Sequence, residues 1–415
     1  MKRFFCILTA FLMIGGLCSC SALSPSSFGE IPVSGTVLMD TQFPVYAKDT
    51  EQIQVALCNG SGETLEFGSR WQMEVYKDGT WMRIPFRENT AFHDLLYCLM
   101  PGGIHVFTVH TASLDYTLTE GTYRIVKQTE GDFGAAYSAE FTVGVSRVGK
   151  NSPYGYAPLE SLPHDHYGSA YEDGVIYVGS LGQKDSTAVD AFFSQYKMCM
   201  NTQLRLAMNN GSGIILEDIL CERKLGSWRI RYRRDETRCG GEITESIYSY
   251  LVSDGEEIYL SNEPQYAKDT AVQIPLLKDY DWIGHDSVKA WLKEQGKKFG
   301  DFDPLRPAFW SPDGRKLVVL HDEPLQFSLS QLHENGGEEG HMTGIAGMAG
   351  KSGMKKISSV LWSPDSETTV LVCETDRKGW TGYVSYSVAE DTVLSYTSSQ
   401  YEPTFDADGN ILIPE

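Results

Sequence analysis

Seven basic residues, Arg223, Lys224, Arg229, Arg231, Arg233, Arg234 and Arg238, crowd one stretch of an acidic chain. Only Glu222, Asp235 and Glu236 oppose them there, while the 415-residue chain as a whole carries −20. Arg229, Arg231 and Arg233 alternate with Ile230 and Tyr232, directly after Trp228. On a strand the three guanidinium groups share one face, roughly 6.5–7 Å apart. That stripe, with Trp228 beside it, could bind an anionic partner such as a wall polymer, an acidic peptide or lipid headgroups. The ordinary alternative is a solvated strand face paired with acids such as Glu217 and Asp218, and charge runs usually are such faces. His164, Asp165 and His166 offer two imidazoles and a carboxylate to a metal. Spacing supplies no further ligand, so no metal site is expected. The glycine-rich stretch 335–353 ends in Gly350-Lys351-Ser352, but a phosphate loop needs glycine where Ile345 stands. It reads as a mobile surface loop.

A third set is Ser194 with Lys197, then Ser253-Asp254-Gly255, then Lys351-Ser352-Gly353. In order and spacing it resembles the elements of penicillin-recognising serine enzymes. That resemblance implies Ser194 as nucleophile and Lys197 helping to remove its proton. Three features oppose it: the middle element lacks its Asn, Ser194 falls inside a helical pattern, and Lys351 follows a glycine-rich loop. No zinc-protease, nucleophile-elbow, dinucleotide or calcium-loop pattern is present. The expectation is a protein without catalytic residues or cofactor. The acidic balance also excludes a nucleic-acid binder, which needs a basic surface to displace phosphate counterions.

The N-terminus sets the compartment. Lys2 and Arg3 precede an apolar run over 4–17, the length of a secretory signal and too short to span a bilayer. Leu17-Cys18-Ser19-Cys20 follows, and it resembles the bacterial lipoprotein signal. The resemblance implies that Cys20 becomes the mature N-terminus, carries a lipid and fixes the protein to the membrane. Residues 21–28 are small and polar and read as a tether. No later segment has eighteen consecutive apolar residues. Six cysteines remain beyond Cys20: Cys58, Cys98, Cys199, Cys221, Cys239 and Cys373. An extracellular site permits bridges among them, yet no C-x-x-C occurs, and buried free thiols fit equally well.

Behind these residues lie three regions. In the first, Ile53, Val55 and Leu57 alternate with polar residues, as do Trp71, Met73 and Val75. Asp78-Gly79 turns the chain into Trp81, and short strands follow at 106–109, 123–126 and 141–143. Period-two runs cut by turn residues predict an antiparallel β-sandwich. The series VYAKDTEQIQVALCNGSGETLEFG, MEVYKDGTWMRIPF, LMPGGIHVFTV and LTEGTYRIVK resembles a family of bacterial Ig-like domains of secreted Firmicute proteins. That resemblance implies a sandwich and does not imply an activity, since such domains are commonly spacers or binding modules. In the second region, 151–163 reads as a linker. A strand at 174–178 and a helix over 186–200 follow, the helix marked by Val189, Phe192, Phe193, Tyr196 and Met200. Strands are expected at 204–208, 214–221, 228–233, 247–252 and 257–260, which makes one helix on a β-meander. This part weakly resembles a small domain of Firmicute lipoproteins, through IILEDIL and WRIRYRRDETR. The third region has a short helix at 287–295. Trp310-Ser311-Pro312-Asp313-Gly314 then recurs as Trp362-Ser363-Pro364-Asp365-Ser366, with a degenerate copy from Phe405. Each copy reads as strand–turn–strand, and the motif resembles the blades of TolB-like propellers.

The fold class that follows is multidomain and mainly β. A signal peptide (1–19) and lipidated tether (20–29) precede an Ig-like β-sandwich (30–147), a small α+β domain (148–262) and a propeller-like β region (263–415). The expected function is a non-enzymatic binding or sensing module at the bacterial envelope. Cys20 would anchor it to the outer face of the cell membrane, and an anionic wall polymer or an envelope protein would be its partner. A wall-acting serine hydrolase and a structural spacer are the alternatives.

Overall fold

The computed structural model describes residues 23–130, 134–165, 176–178, 186–253, 258–268, 272–273, 306–335, 337–345, 347, 353–406 and 411–412. The signal sequence, Cys20, His166, the expected helix at 287–295 and Gly350-Lys351-Ser352 lie outside the described residues.

Two sheets build the sandwich. The larger runs in the order Ser24–Pro25, Thr80–Arg83, Gln72–Lys77, Gly121–Gln128, Ala136–Val143, Val45–Tyr46. The smaller is Val37–Thr41, Gln52–Asn59, Ile104–His110. The alternating apolar residues do what period two requires: Ile53, Val55 and Leu57 meet Met73, Val75, Tyr123, Ile125 and Phe141 in one core. Asp78 (φ 50°) and Gly79 (φ 82°) make the tight hairpin into Trp81. Tyr123 is core, and its hydroxyl donates to Thr119 O at 2.8 Å.

The outer face of the larger sheet holds a buried ion pair, Arg124 to Glu74 at 2.6 Å, with the Trp81 ring 4.3 Å from the guanidinium. Arg124 also donates to Gly29 O at 2.6 Å and to Ser26 Oγ at 3.3 Å. The segment read as a tether is therefore docked on the sandwich from Ser24 onward. Its unpaired polar residues find partners on the sheet. Elsewhere in the sandwich, Lys127 is 1 % exposed between the rings of Phe67 and Phe107, 5.1 and 5.0 Å from their centroids. Among the described residues its amine has no ion pair or hydrogen bond.

The next sheet runs Ile176–Val178, Thr202–Asn209, Ile214–Lys224, Ser227–Asp235, Ile243–Tyr248, with its first pair parallel. The helix Ser186–Lys197 lays Val189, Phe192, Phe193 and Tyr196 on Leu204, Leu206, Ile219, Trp228 and Ile230. It stops three residues before the expected end, because Cys199 turns left-handed (φ 59°). Met198 and Met200 then pack on Ala56, Cys58, Ile104 and Val106 of the sandwich. Polar side chains fix this junction. Gln42 Nε2 donates to Asn201 O, Gln195 Nε2 donates to Gln42 O, and Asn201 N donates to Gln54 Oε1, at 2.6, 2.6 and 2.7 Å.

The strand expected at 247–252 is two strands. Ser249 is buried and its hydroxyl donates to Ala308 O, so the chain leaves one sheet there and Tyr250–Ser253 starts another with Ile258–Ser261 and Val272–Gln273. Two four-stranded antiparallel meanders follow. The first is Ala308–Trp310, Lys316–Leu320, Gln326–Leu332, Glu338–Gly344. The second is Met354–Trp362, Thr368–Thr375, Thr381–Ser387, Thr392–Ser399. Much of the glycine-rich stretch read as a mobile loop is thus the edge strand Glu338–Gly344, paired along Gln326–Leu332. The degenerate third motif begins a two-residue pair, Thr404–Phe405 with Ile411–Leu412. Both meanders pair neighbour to neighbour in chain order, and the described residues close no ring.

The repeated motif joins sheets as well as turning the chain. Ser311 Oγ donates to Asp313 and accepts from Lys316 N, and Ser363 does the same with Asp365 and Thr368 N. Gly314 (φ 65°) and Ser366 (φ 64°) hold the same left-handed position. Each tryptophan reaches back to an earlier sheet. Trp310 Nε1 donates to Trp228 O at 2.7 Å and Trp362 Nε1 to Phe309 O at 3.2 Å. Lys316 Nζ, almost fully buried, ties the two turns by donating to Ser366 O and Glu367, both at 2.7 Å.

Candidate functional site

The arginine stripe forms as a stripe, but the chain's own acids occupy it. Pairing with Ile214–Lys224 and Ile243–Tyr248 sets Glu222 opposite Arg229 and Glu245 opposite Arg233. Glu222 lies 3.5 Å from both Arg229 and Arg231, Glu245 lies 3.1 Å from Arg233, and Arg233 also donates to Glu160. Glu217, expected on this face, pairs with Arg234 on the helix-facing side. Asp218 is held by Arg205 at 2.5 and 2.6 Å in a buried two-pronged pair. Burial pushes the Asp218 carboxyl up, against the pull of Arg205. Arg233 pulls the Glu160 carboxyl down.

Residues 151–163 are a strap across this face. Tyr156, Leu159 and Leu162 pack on Ala207, Leu216 and Ile214. Arg205 donates to Ala157 O at 2.8 Å and Arg238 to Pro163 O at 3.0 Å. At the other end Arg229 lies against the first Trp-Ser-Pro-Asp-Gly turn. A Cβ on Gly314 (φ 65°) would fall 2.5 Å from its Nη2, so glycine lets the guanidinium lie close against the turn. Burial pushes the Arg229 guanidinium's pKa down. Trp228 is 1 % exposed and stacked on Tyr196 at 4.4 Å, so it presents no surface to a partner. The stripe is half-buried between a strap and a sheet, and is not the solvated face the charge run suggested.

The other candidates are placed as follows. Ser194 is exposed in the last turn of its helix, one position before the buried Gln195. Asp254, Gly255, Lys351 and Ser352 lie outside the described residues. His164 and Asp165 are exposed, and no group of three metal-binding side chains occurs among the described residues. All six cysteines are free.

Nothing in the residue pattern announces a cleft on the sandwich. Its volume is about 450 Å³, within the size range of ligand pockets. Ser24, Arg70, Arg83, Pro85, Phe86, Thr90 and Phe92 line it. Phe86 and Phe92 stand over Trp71, at 4.9 and 6.0 Å between ring centres. Arg83 faces Ser24 on one side and Glu74 on the other. Glu74 is already engaged by Arg124 and Gln72. Among the described residues the side chains of Arg70 and Arg83 make no hydrogen bond, ion pair or ring contact, unlike the internally paired arginines of the stripe. Arg70 and Arg83 stand at the ends of different segments, and no spacing rule relates them.

Residues 34–142 match a bacterial Ig-like domain, and the sandwich is that domain. Such domains are typically extracellular. No curated protein matches the chain. Solved structures resemble it only distantly. Hydrazine synthase of Kuenenia stuttgartiensis is 12% identical over 48% of this chain and 51% of that one, with a TM-score of 0.22. This chain thus spans about half of that protein. A chaperone–tip adhesin complex of Acinetobacter baumannii Csu pili is 12% identical over 59% and 97%, at 0.20. The periplasmic gluconolactonase PpgL of Pseudomonas aeruginosa is 11% identical over 86% and 84%, at 0.21. At these scores the likenesses carry no functional argument. No helix among the described residues is long and apolar enough to cross a membrane.

Proposed function

We propose that this protein is an extracytoplasmic lipoprotein, anchored through Cys20, that binds a partner at the bacterial envelope without catalysing a reaction. The observation that carries this reading is the Ig-like domain at 34–142, directly behind the signal-like N-terminus. An extracellular domain on which the chain is docked from Ser24, four residues after a lipidation cysteine, is placed to work at a membrane surface. The arginine stripe has a structural role in this reading, because its charges are spent on Glu222, Glu245 and Glu160. Binding falls instead to surfaces whose charges are free. The experiment is metabolic labelling with a fatty-acid analogue, followed by fractionation. Label in the protein that disappears in Cys20→Ala, with release of the chain from the membrane fraction, is expected. An unlabelled protein that stays soluble with Cys20 intact would sink the anchoring.

A further inference from the structure

The geometry points to the Arg70/Arg83 cleft as a site for a phosphate group of an anionic lipid headgroup, on the face of the Ig-like domain turned to the membrane. The inference rests on the lipoprotein reading for its distances and adds the ligand and the orientation. Ser24 lines the cleft, four residues after Cys20. At no more than ~3.6 Å per residue, a lipid on Cys20 holds the cleft within ~14 Å of its own attachment point. The cleft therefore faces headgroups at a local concentration no soluble ligand approaches.

The chemistry of the site fits that neighbour. Two guanidinium groups without internal partners supply planar donors that match phosphate oxygens. Phe86 and Phe92 wall the cleft with apolar surface. Three and four residues beyond Phe92, Leu95 and Leu96 are 56% and 54% exposed, on a stretch with no regular structure. Exposed leucines beside free arginines form the pairing by which proteins rest on an anionic interface. Charge adds orientation. With a total of −20, the body of the molecule is repelled by an anionic surface. The same stretch carries Arg87, Glu88 and Asp94, which leave it close to neutral, so the cleft arginines are what an anion meets.

The test uses the mature chain, residues 20–415, with Cys20→Ser so that no lipid contributes. It is co-sedimented with vesicles of phosphatidylcholine alone or mixed with phosphatidylglycerol. The chain is expected to bind only the mixed vesicles. Arg70→Gln with Arg83→Gln should lower that binding about twenty-five-fold, from roughly fivefold per basic residue at an anionic surface. Both substitutions should leave the urea midpoint unchanged, since neither arginine has a partner to lose. Equal binding by the double variant overturns the site. Tight binding of soluble glycerol phosphate without vesicle binding overturns the membrane as its source. Neither result depends on Cys20, so loss of fatty-acid labelling and loss of vesicle binding are separate failures.

Discussion

Lys127 sets a measurable pH dependence on the stability of the Ig-like domain. Its side chain is buried between Phe67 and Phe107 with no carboxylate in reach among the described residues. Burial lowers its pKa from 10.5 to about 8. The folded state therefore releases the proton before the unfolded chain does. Between about pH 8 and pH 10.5 the unfolded chain binds more protons, so stability rises with pH across that window. Below pH 8 both states are protonated and the full penalty is present. At 1.36 kcal/mol per pKa unit, and discounted for the attraction of the two rings to the ammonium, the penalty is ~2 kcal/mol. Lys127→Met keeps the length of the side chain and removes the charge. It should raise stability by ~2 kcal/mol at pH 7 and by almost nothing at pH 10.5. The assay is urea unfolding at several pH values, followed by hydrogen exchange of the sandwich-strand amides, since eight tryptophans share the fluorescence. A Met variant that is less stable at pH 7, or whose advantage does not shrink as pH rises, would refute the reasoning. The first result would mean that the two rings compensate the ammonium fully, and the second that the gain comes from packing and not from the charge.

Other outcomes follow from the same packing. Trp310→Phe removes a buried hydrogen bond and leaves the Trp228 carbonyl without that donor, for ~2–3 kcal/mol, whereas Trp362→Phe costs ~1 kcal/mol because its bond is longer and half-exposed. Equal shifts in denaturation midpoint would deny the tryptophans their joining role. Charge reversal of Arg229, Arg231 and Arg233 to Glu should lower the unfolding midpoint, because it sets three new carboxylates beside Glu222, Glu245 and Glu160. A variant that folds normally would show the stripe to be solvated after all. In native protein a maleimide should modify exposed Cys98 first, while burial, which pushes the Cys58 and Cys373 thiols up to about 12, protects those two until unfolding. Mass spectrometry of timed samples reads the order.

Local pattern was enough to locate the sandwich. Ile53, Val55 and Leu57 alternate because one sheet face is buried, and Asp78-Gly79 announces a hairpin because few other pairs accept two positive φ angles. What local pattern missed was decided by residues far away in the chain. The run from Ile247 to Val252 is uniformly strand-forming, and only Ala308, accepting from the Ser249 hydroxyl 59 residues away, marks where it changes sheet. The strap has linker composition, and its Tyr156, Leu159 and Leu162 gain meaning only once Ala207 and Leu216 lie beneath them. Charge spacing showed the stripe but could not show its occupancy, since Glu160 reaches Arg233 across 73 residues. The cleft was hardest to foresee. Its signature is two arginines that lack partners, and lacking a partner is a property of the folded neighbourhood alone.

The direction of the two indole bonds bears on how such a chain is made. Trp310 and Trp362 both donate to carbonyls that precede them, at Trp228 and Phe309. A ribosome delivers the chain N-terminus first, so each acceptor exists before its donor arrives. The two indoles can then seat each meander on a strand already made, while the core the meanders share closes only when the second arrives. A premature stop after the first meander would bare Phe327 and Leu329, which pack on Leu371 and Val384, and leave the buried Lys316 without its partners, whereas a fault in the strand Ser227–Asp235 would remove the carbonyl on which Trp310 is seated.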